Sequence, residues 1–217
     1  MDSKIFTLLL SAAGIGLAGM THTLSKPAFS YEAYGNVANY FEHEKDLVDF
    51  FEFEKGDVVA EVGAADGENI GGFSLLSDSI TFYVQDIDPK SMNAKNFNKV
   101  LKKCRKYKDP LTNTFKLCLG NEKATLLPDS SFDKILLIAT FHEFTYMDDM
   151  LADISKKLKK DGRIYILESR CLGKGHKNYS AEETVEILKK HGFQLLKKDG
   201  KDLNGGVGVY RVVFARI

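Results

Sequence analysis

The stretch VVAEVGAADGENIGG (residues 58–72) passes from an apolar run to a glycine-rich corner within a few residues, with an acid, Glu61, inside the apolar part. An apolar run of this length, closed by glycines, reads as a buried strand followed by a tight turn. Gly63 and Gly67 leave the backbone open to close approach, because no side chain stands in the way. NIGGFSLLS then reads as a helix. Strand, glycine corner and helix form a ligand-binding unit, and ligands of open parallel sheets sit beyond the carboxyl ends of the strands. A phosphate prefers bare amides and a helix N-terminus. The Glu61 carboxylate would repel it, so the corner suits a ligand carrying positive charge, an ammonium or a sulfonium.

Outward from this corner the same alternation continues. ITFYVQDID, FKLCLG, FDKILLIAT and GRIYILES read as further strands. PKSMNAKNFNKVLKKCRKY, MDDMLADISKKLKK and SAEETVEILKKHG read as helices. Alternating strands and helices imply a mostly parallel sheet covered on both faces. The end of the chain differs: GFQLLKK, a turn in DGKDLNGG, and VGVYRVVFARI form an antiparallel hairpin with no helix between. The expected fold is α/β, a doubly wound, mostly parallel seven-stranded sheet with a C-terminal antiparallel hairpin.

Before the corner, YFEHEKDLVDFFEF places Phe41, Leu47, Val48, Phe50 and Phe51 mainly on one helical face, predicting a helix ahead of the first strand. Residues 26–55 form an aromatic-rich segment that includes Tyr31, Tyr34 and Tyr40, and the main domain runs over 56–217. Residues 1–25 stand apart. IFTLLLSAAGIGLAGM (5–20) is sixteen residues without a charge, short for a membrane span and slightly long for the core of an export signal. Gly16-Leu17-Ala18 offers a small-x-small cleavage site. The segment reads as a signal peptide or membrane anchor, giving an exported or membrane-associated protein. The alternative is a helix docked on the domain of a cytoplasmic one.

The 217 residues are 44% hydrophobic, enough for one well-buried core, and thirty basic residues balance thirty acidic ones. No global charge favours nucleic acid. The basic run KVLKKCRKYK (99–108) reads first as a solvated helix face, with a polyanion site as the alternative. Cys104, Cys118 and Cys171 have no C-x-x-C or Cys/His spacing, so neither a metal site nor a disulfide framework is expected.

These features together resemble the Rossmann-like (class I) S-adenosylmethionine-dependent methyltransferases. That family's first motif, an acid followed by G-x-G-x-G, is similar to Glu61-Val-Gly63-Ala-Ala65-Asp-Gly67, with alanine in place of the middle glycine. Its second landmark, an acid ending the next strand, matches Asp86, nineteen residues after Gly67. The resemblance implies that Asp86 accepts both ribose hydroxyls and that Ile87 packs on the adenine. In GNEKATLLPDSSFDKILL, which resembles the loop before the family's fourth strand, Asn121 holds the place of an acid for the adenine amino group, and Glu122 is its substitute. LKKDGRIYILES and SAEETVEILKKHGF follow the family's later strand and helix, so the resemblance covers residues 40–217.

The resemblance implies S-adenosyl-L-methionine as cofactor and a small-molecule methyl acceptor. No nucleic-acid module is present, and membrane association would run through residues 5–20. Methyl transfer from a sulfonium needs positioning above all, and a neutral acceptor needs a base as well. In ATFHEFTYM, His142 is the candidate base and Glu143 its neighbour, the alternative being that His142 only lines the pocket. Glu168 ends the fifth strand and reads as a structural acid. Tyr31, Tyr34 and Tyr40 are candidates for a lid, and Lys174 and His176 for a substrate entrance. A binding module of the same fold without turnover is the main rival function. A nicotinamide oxidoreductase is disfavoured because no G-x-G-x-x-G follows the first strand and no Tyr-x-x-x-Lys appears. The cofactor is made in the cytosol, which favours an inner-face anchor or a docked helix over export.

Overall fold

The computed structural model describes residues 45–169, 177–203 and 207–217. The leader, the tyrosines at 31, 34 and 40, and Lys174 and His176 lie outside the described residues.

Seven strands form one sheet: β1 (Val58–Val62), β2 (Thr81–Asp86), β3 (Thr114–Leu119), β4 (Phe132–Ile138), β5 (Leu158–Ser169), β6 (Phe193–Leu203) and β7 (Val207–Arg216). Their spatial order is β3-β2-β1-β4-β5-β7-β6. The first five strands pair in parallel, and β7 runs antiparallel to both β5 and β6. The expected α/β architecture, seven-stranded with a terminal antiparallel pair, is the one observed. The helices are α1 (residues 45–51), α2 (Glu68–Leu76), α3 (Ala94–Cys104), α4 (Met147–Lys157) and α5 (Ala181–Lys190).

Two apolar layers sandwich the sheet. On one face Phe50 and Phe51 of α1, Phe73 of α2 and Phe97 and Val100 of α3 pack with Val59, Phe82 and Leu136. On the other, Leu151 and Ile154 of α4 and Val185 and Leu188 of α5 pack with Ile135, Leu137 and Val212. Central strands buried on both faces need near-continuous apolar sequence, which is why VVAEV and ILLI read so plainly. Edge strand β3 is covered less fully and leaves Leu117 and Leu119 exposed.

Element boundaries differ from the sequence reading in three places. The third helix begins at Ala94 rather than Pro89. Asp88 holds the Lys90 amide and the Ser91 hydroxyl, and the Asn93 side chain accepts from the Asn96 amide, so Pro89–Asn93 is taken up by capping turns. The fourth helix stops at Lys157, because Leu158 is fully buried and pairs with Phe132 in the sheet. The terminal hairpin is longer than expected. Asp199, assigned above to the turn, pairs with Arg211 across the ladder (2.5 Å), and strand pairing continues to Leu203–Val207.

Helix α5 carries a complete capping box: the Ser180 hydroxyl accepts from the Glu183 amide (3.1 Å) and the Glu183 carboxylate from the Ser180 amide (2.7 Å). Ser180→Ala should therefore cost about 1 kcal/mol in chemical denaturation. A change below experimental error would mean that α5 is held by its packing alone. Among the described residues, no helix is long and apolar enough to cross a membrane.

Candidate functional site

The parallel strands all end at one edge of the sheet, and the acids picked from sequence gather there. The corner after β1 is built from left-handed backbone: φ is +75° at Gly63, +51° at Ala65 and +84° at Gly67, the N-cap of α2. An added Cβ at Gly63 would lie 2.3 Å from Thr140 Cγ2, and one at Gly67 would lie 2.6 Å from Phe97. Glycine is therefore required at both by conformation and by space. Ala65 adopts the same hand at a modest steric cost.

Glu61 is fully buried, and its Oε1 accepts from Asn69 Nδ2 at 2.6 Å. This answers the question of an acid inside a buried strand: Asn69, on the first turn of α2, reaches back to hold it. Asp86 ends β2 half-buried. Its Oδ2 accepts from the Ala65 amide (2.7 Å), and its Oδ1 accepts from the Ile87 (2.7 Å) and Asp88 (2.9 Å) amides. The carboxylate thus latches the glycine corner onto the tip of β2. These three amides take three of its roughly four acceptor sites, which leaves one, on Oδ2, for a ligand hydroxyl. Next to it Ile87 is 47% exposed, an apolar surface at the rim.

The turn after β3 departs from expectation. Asn121 Oδ1 accepts from the Lys123 (2.9 Å) and Ala124 (3.0 Å) amides, closing its own turn. Both lone pairs are used locally, so the oxygen assigned above to the adenine amino group is occupied. Glu122 is exposed on the same turn. Beneath this loop Gln85 is fully buried, and among the described residues neither atom of its amide finds a hydrogen-bond partner.

After β4 the chain makes a short 3-10 turn, Phe141–Glu143, which turns His142 inward, 8% exposed. His142 Nδ1 lies 2.8 Å from Glu168 Oε2, and Nε2 lies 3.0 Å from Glu143 Oε1. Glu168, at the end of β5, is 2% exposed. Burial opposes the charged imidazolium, but the hydrogen bond to Glu168 and the charges of Glu168 and Glu143 outweigh it and raise the His142 pKa above its ordinary value. The protonated ring is thereby favoured relative to a free imidazole. A raised native pKa contributes stability that is fully present below about 6.5, the ordinary value, and is lost as pH climbs through the raised one. Unfolding free energy should thus fall as pH rises above about 6.5, in a way that Glu168→Gln flattens. An unchanged slope in that variant would remove Glu168 as the cause. Among the described residues no cluster of three or more His, Cys, Asp or Glu is arranged to hold a metal ion.

Sequence reading placed Glu61, Gly63, Ala65, Gly67, Asp86 and Ile87 at the tips of two neighbouring strands and the corner beside them, and the fold brings them together there. It also set His142 beside Glu143. It missed Asn69 and Thr140, and it gave Glu168 a structural role although that residue holds the histidine. A polar residue on the first turn after a glycine corner was the available signal for Asn69.

This order of strands, with an acid-tipped glycine corner, defines the class I S-adenosylmethionine-dependent methyltransferase fold. Residues 60–166 match the family described as "Methyltransferase domain", so the chain carries a domain of this kind. The cofactor of these methyltransferases is S-adenosylmethionine, and the residues at these strand ends suit it: a half-buried carboxylate, Asp86, at the tip of β2 and the exposed Ile87 beside it. A structure from Aquifex aeolicus described as a SAM-dependent methyltransferase is similar at 20% identity, over 80% of this chain and 89% of that one, with a TM-score of 0.63. A TehB-like SAM-dependent methyltransferase from Corynebacterium glutamicum is similar at 17% identity over 86% and 92% of the two chains, with a TM-score of 0.58. The [4+2]-cyclase SpnF shares the fold as well, at 12% identity over 98% and 91%, with a TM-score of 0.62. No curated protein matches the chain.

Proposed function

We propose that the protein transfers a methyl group from S-adenosylmethionine to a small-molecule acceptor. In this reading Asp86 takes the ribose through the acceptor site left on Oδ2, Ile87 the adenine face, and Glu61 with Asn69 the amino-acid end. Glu122 takes over at the adenine amino group from Asn121. The cofactor, when bound, supplies an electrophilic methyl group and a thioether leaving group. The observation that carries the reading is the pairing of this anionic cleft with a histidine–carboxylate cluster, Glu143–His142–Glu168, at the next strand tips.

Glu168 fixes the His142 tautomer through Nδ1, which leaves Nε2 as the proton acceptor once the exposed Glu143 swings aside. With the cofactor bound, Nε2 would take the proton of an acceptor as that acceptor became the nucleophile, and the cofactor would supply the methyl carbon and keep the departing electrons on its sulfur. Activity should rise with pH through the raised His142 pKa. Calorimetry with S-adenosylmethionine followed by a screen for transfer of labelled methyl to small nucleophiles tests the proposal. Micromolar binding together with a methylated product supports it; no binding overturns it.

A second reading, a cofactor-binding protein without methyl transfer, draws on the occupied oxygen of Asn121 and on the likeness to a cyclase. It predicts the same calorimetric binding with no product for any acceptor.

A further inference from the structure

We propose that the outer face of α3 is a docking surface for an anionic lipid bilayer. The chain as a whole has a formal net charge of zero. Between Asp88 and Asp109, however, it carries eight Lys or Arg and no Asp or Glu, leaving the rest of the chain at 0 − 8 = −8. A net positive charge is thus concentrated on one helix and its flanks.

The helix geometry turns that segregation into a surface. Phe97, Val100, Leu101 and Cys104 are buried against the sheet. The opposite stripe, at spacings of four, three and four residues, is Lys95, Lys99, Lys102 and Lys106, all exposed. Ion pairing lies at the margins. Lys103 reaches Glu68 at 3.5 Å, and Lys108 pairs with Asp78 at 2.8 Å. Tyr107, 42% exposed at the end of the helix, is a residue type suited to the headgroup region.

A second observation selects a bilayer over other polyanions. Helix α1 packs on the same sheet face as α3: Phe50 and Phe51 share one cluster with Phe97 and Val100. The chain therefore enters the domain on the basic side. Upstream in the sequence lies the sixteen-residue uncharged stretch 5–20, with residues 21–44 between it and the start of the described helix. Those 24 residues can span up to about 80 Å, ample reach to a surface that α3 faces. One apolar segment or one basic patch gives weak, reversible membrane binding, and the two together give stable anchoring. The arrangement suits a leaflet facing the cytosol, where the cofactor is made. It leaves the cleft residues Glu61 and Asp86 outside the contact, so it stands whether or not methyl transfer is the activity.

The test is vesicle co-sedimentation of the full chain with phosphatidylcholine vesicles, with and without about 30% phosphatidylglycerol. Partitioning should be stronger onto the anionic vesicles and should weaken steeply as salt is raised from about 0.05 to 0.5 M. Replacing Lys95, Lys99, Lys102 and Lys106 together by Gln should weaken it by more than about tenfold at low salt. Thermal unfolding and binding of S-adenosylhomocysteine should stay as in the wild type, showing that the variant is folded. A charge-matched control, Lys156, Lys160, Lys189 and Lys190 to Gln, should bind vesicles as the wild type does. Equal wild-type partitioning onto both vesicles, equal losses in the two variants, or binding to single-stranded RNA without vesicle binding would each overturn the proposal.

Discussion

Asp86→Ala should weaken binding of S-adenosylhomocysteine by about 100-fold or more in calorimetry, the largest effect expected of any single change in the cleft. Two contributions combine. The substitution removes the charged acceptor proposed for the ribose, and a hydrogen bond to a charged group is worth about 1.5–3 kcal/mol. It also strips the acceptor from the Ala65, Ile87 and Asp88 amides and frees the glycine corner from β2. That second contribution should appear separately, as a loss of about 2 kcal/mol in stability, because the amides are only partly shielded from water. Asp86→Asn separates the two. It keeps an oxygen for the backbone, so stability should nearly recover, while the missing charge still lowers affinity by about tenfold. An Asp86→Ala protein that binds with unchanged affinity would remove the ribose assignment.

The second large effect concerns the fold. Gly63→Ala should destabilise the protein by about 3 kcal/mol: about 1–2 for a left-handed alanine and about 1–3 for overpacking. The new methyl would sit 2.3 Å from Thr140 Cγ2 and 2.5 Å from its Oγ1, and Thr140 is itself buried. Differential scanning calorimetry should show a drop in Tm of about 10 °C for a domain of this size. Adding Thr140→Ala removes both clashing atoms, so the double variant should recover part of the loss, with a coupling energy above about 1 kcal/mol. Strict additivity would show that backbone conformation alone, and not the β4 tip, demands glycine here.

The elements that could be read without coordinates are those whose signal is local. Strands β1 and β4 are buried on both faces and need unbroken apolar runs. The corner after β1 needs glycines because its backbone is left-handed. Asp86 could be placed because it ends a strand at a set distance from that corner. What escaped the reading depends on contacts between distant parts of the chain, or on competition within a turn. Glu168 and His142 are 26 residues apart and meet only because β4 and β5 lie side by side. Thr140 matters through Gly63, on the other side of a crossover. Asn121 was assigned by position, but its oxygen closes a local turn, as short amide side chains commonly do. The hairpin turn was misplaced because polar residues on edge strand β6 carry the same composition as a loop.

Ala65 bears on how the chain can change over time. An L-residue at φ +51° gives up about 1 kcal/mol of conformational preference. Glycine would relieve that and return a similar amount through the greater freedom of the unfolded chain. Alanine and glycine are thus nearly interchangeable here as far as stability is concerned, and lineages can drift between them without selection on folding. An alanine at this point in the corner therefore carries no sign of a decayed enzyme; any such sign has to be sought in turnover.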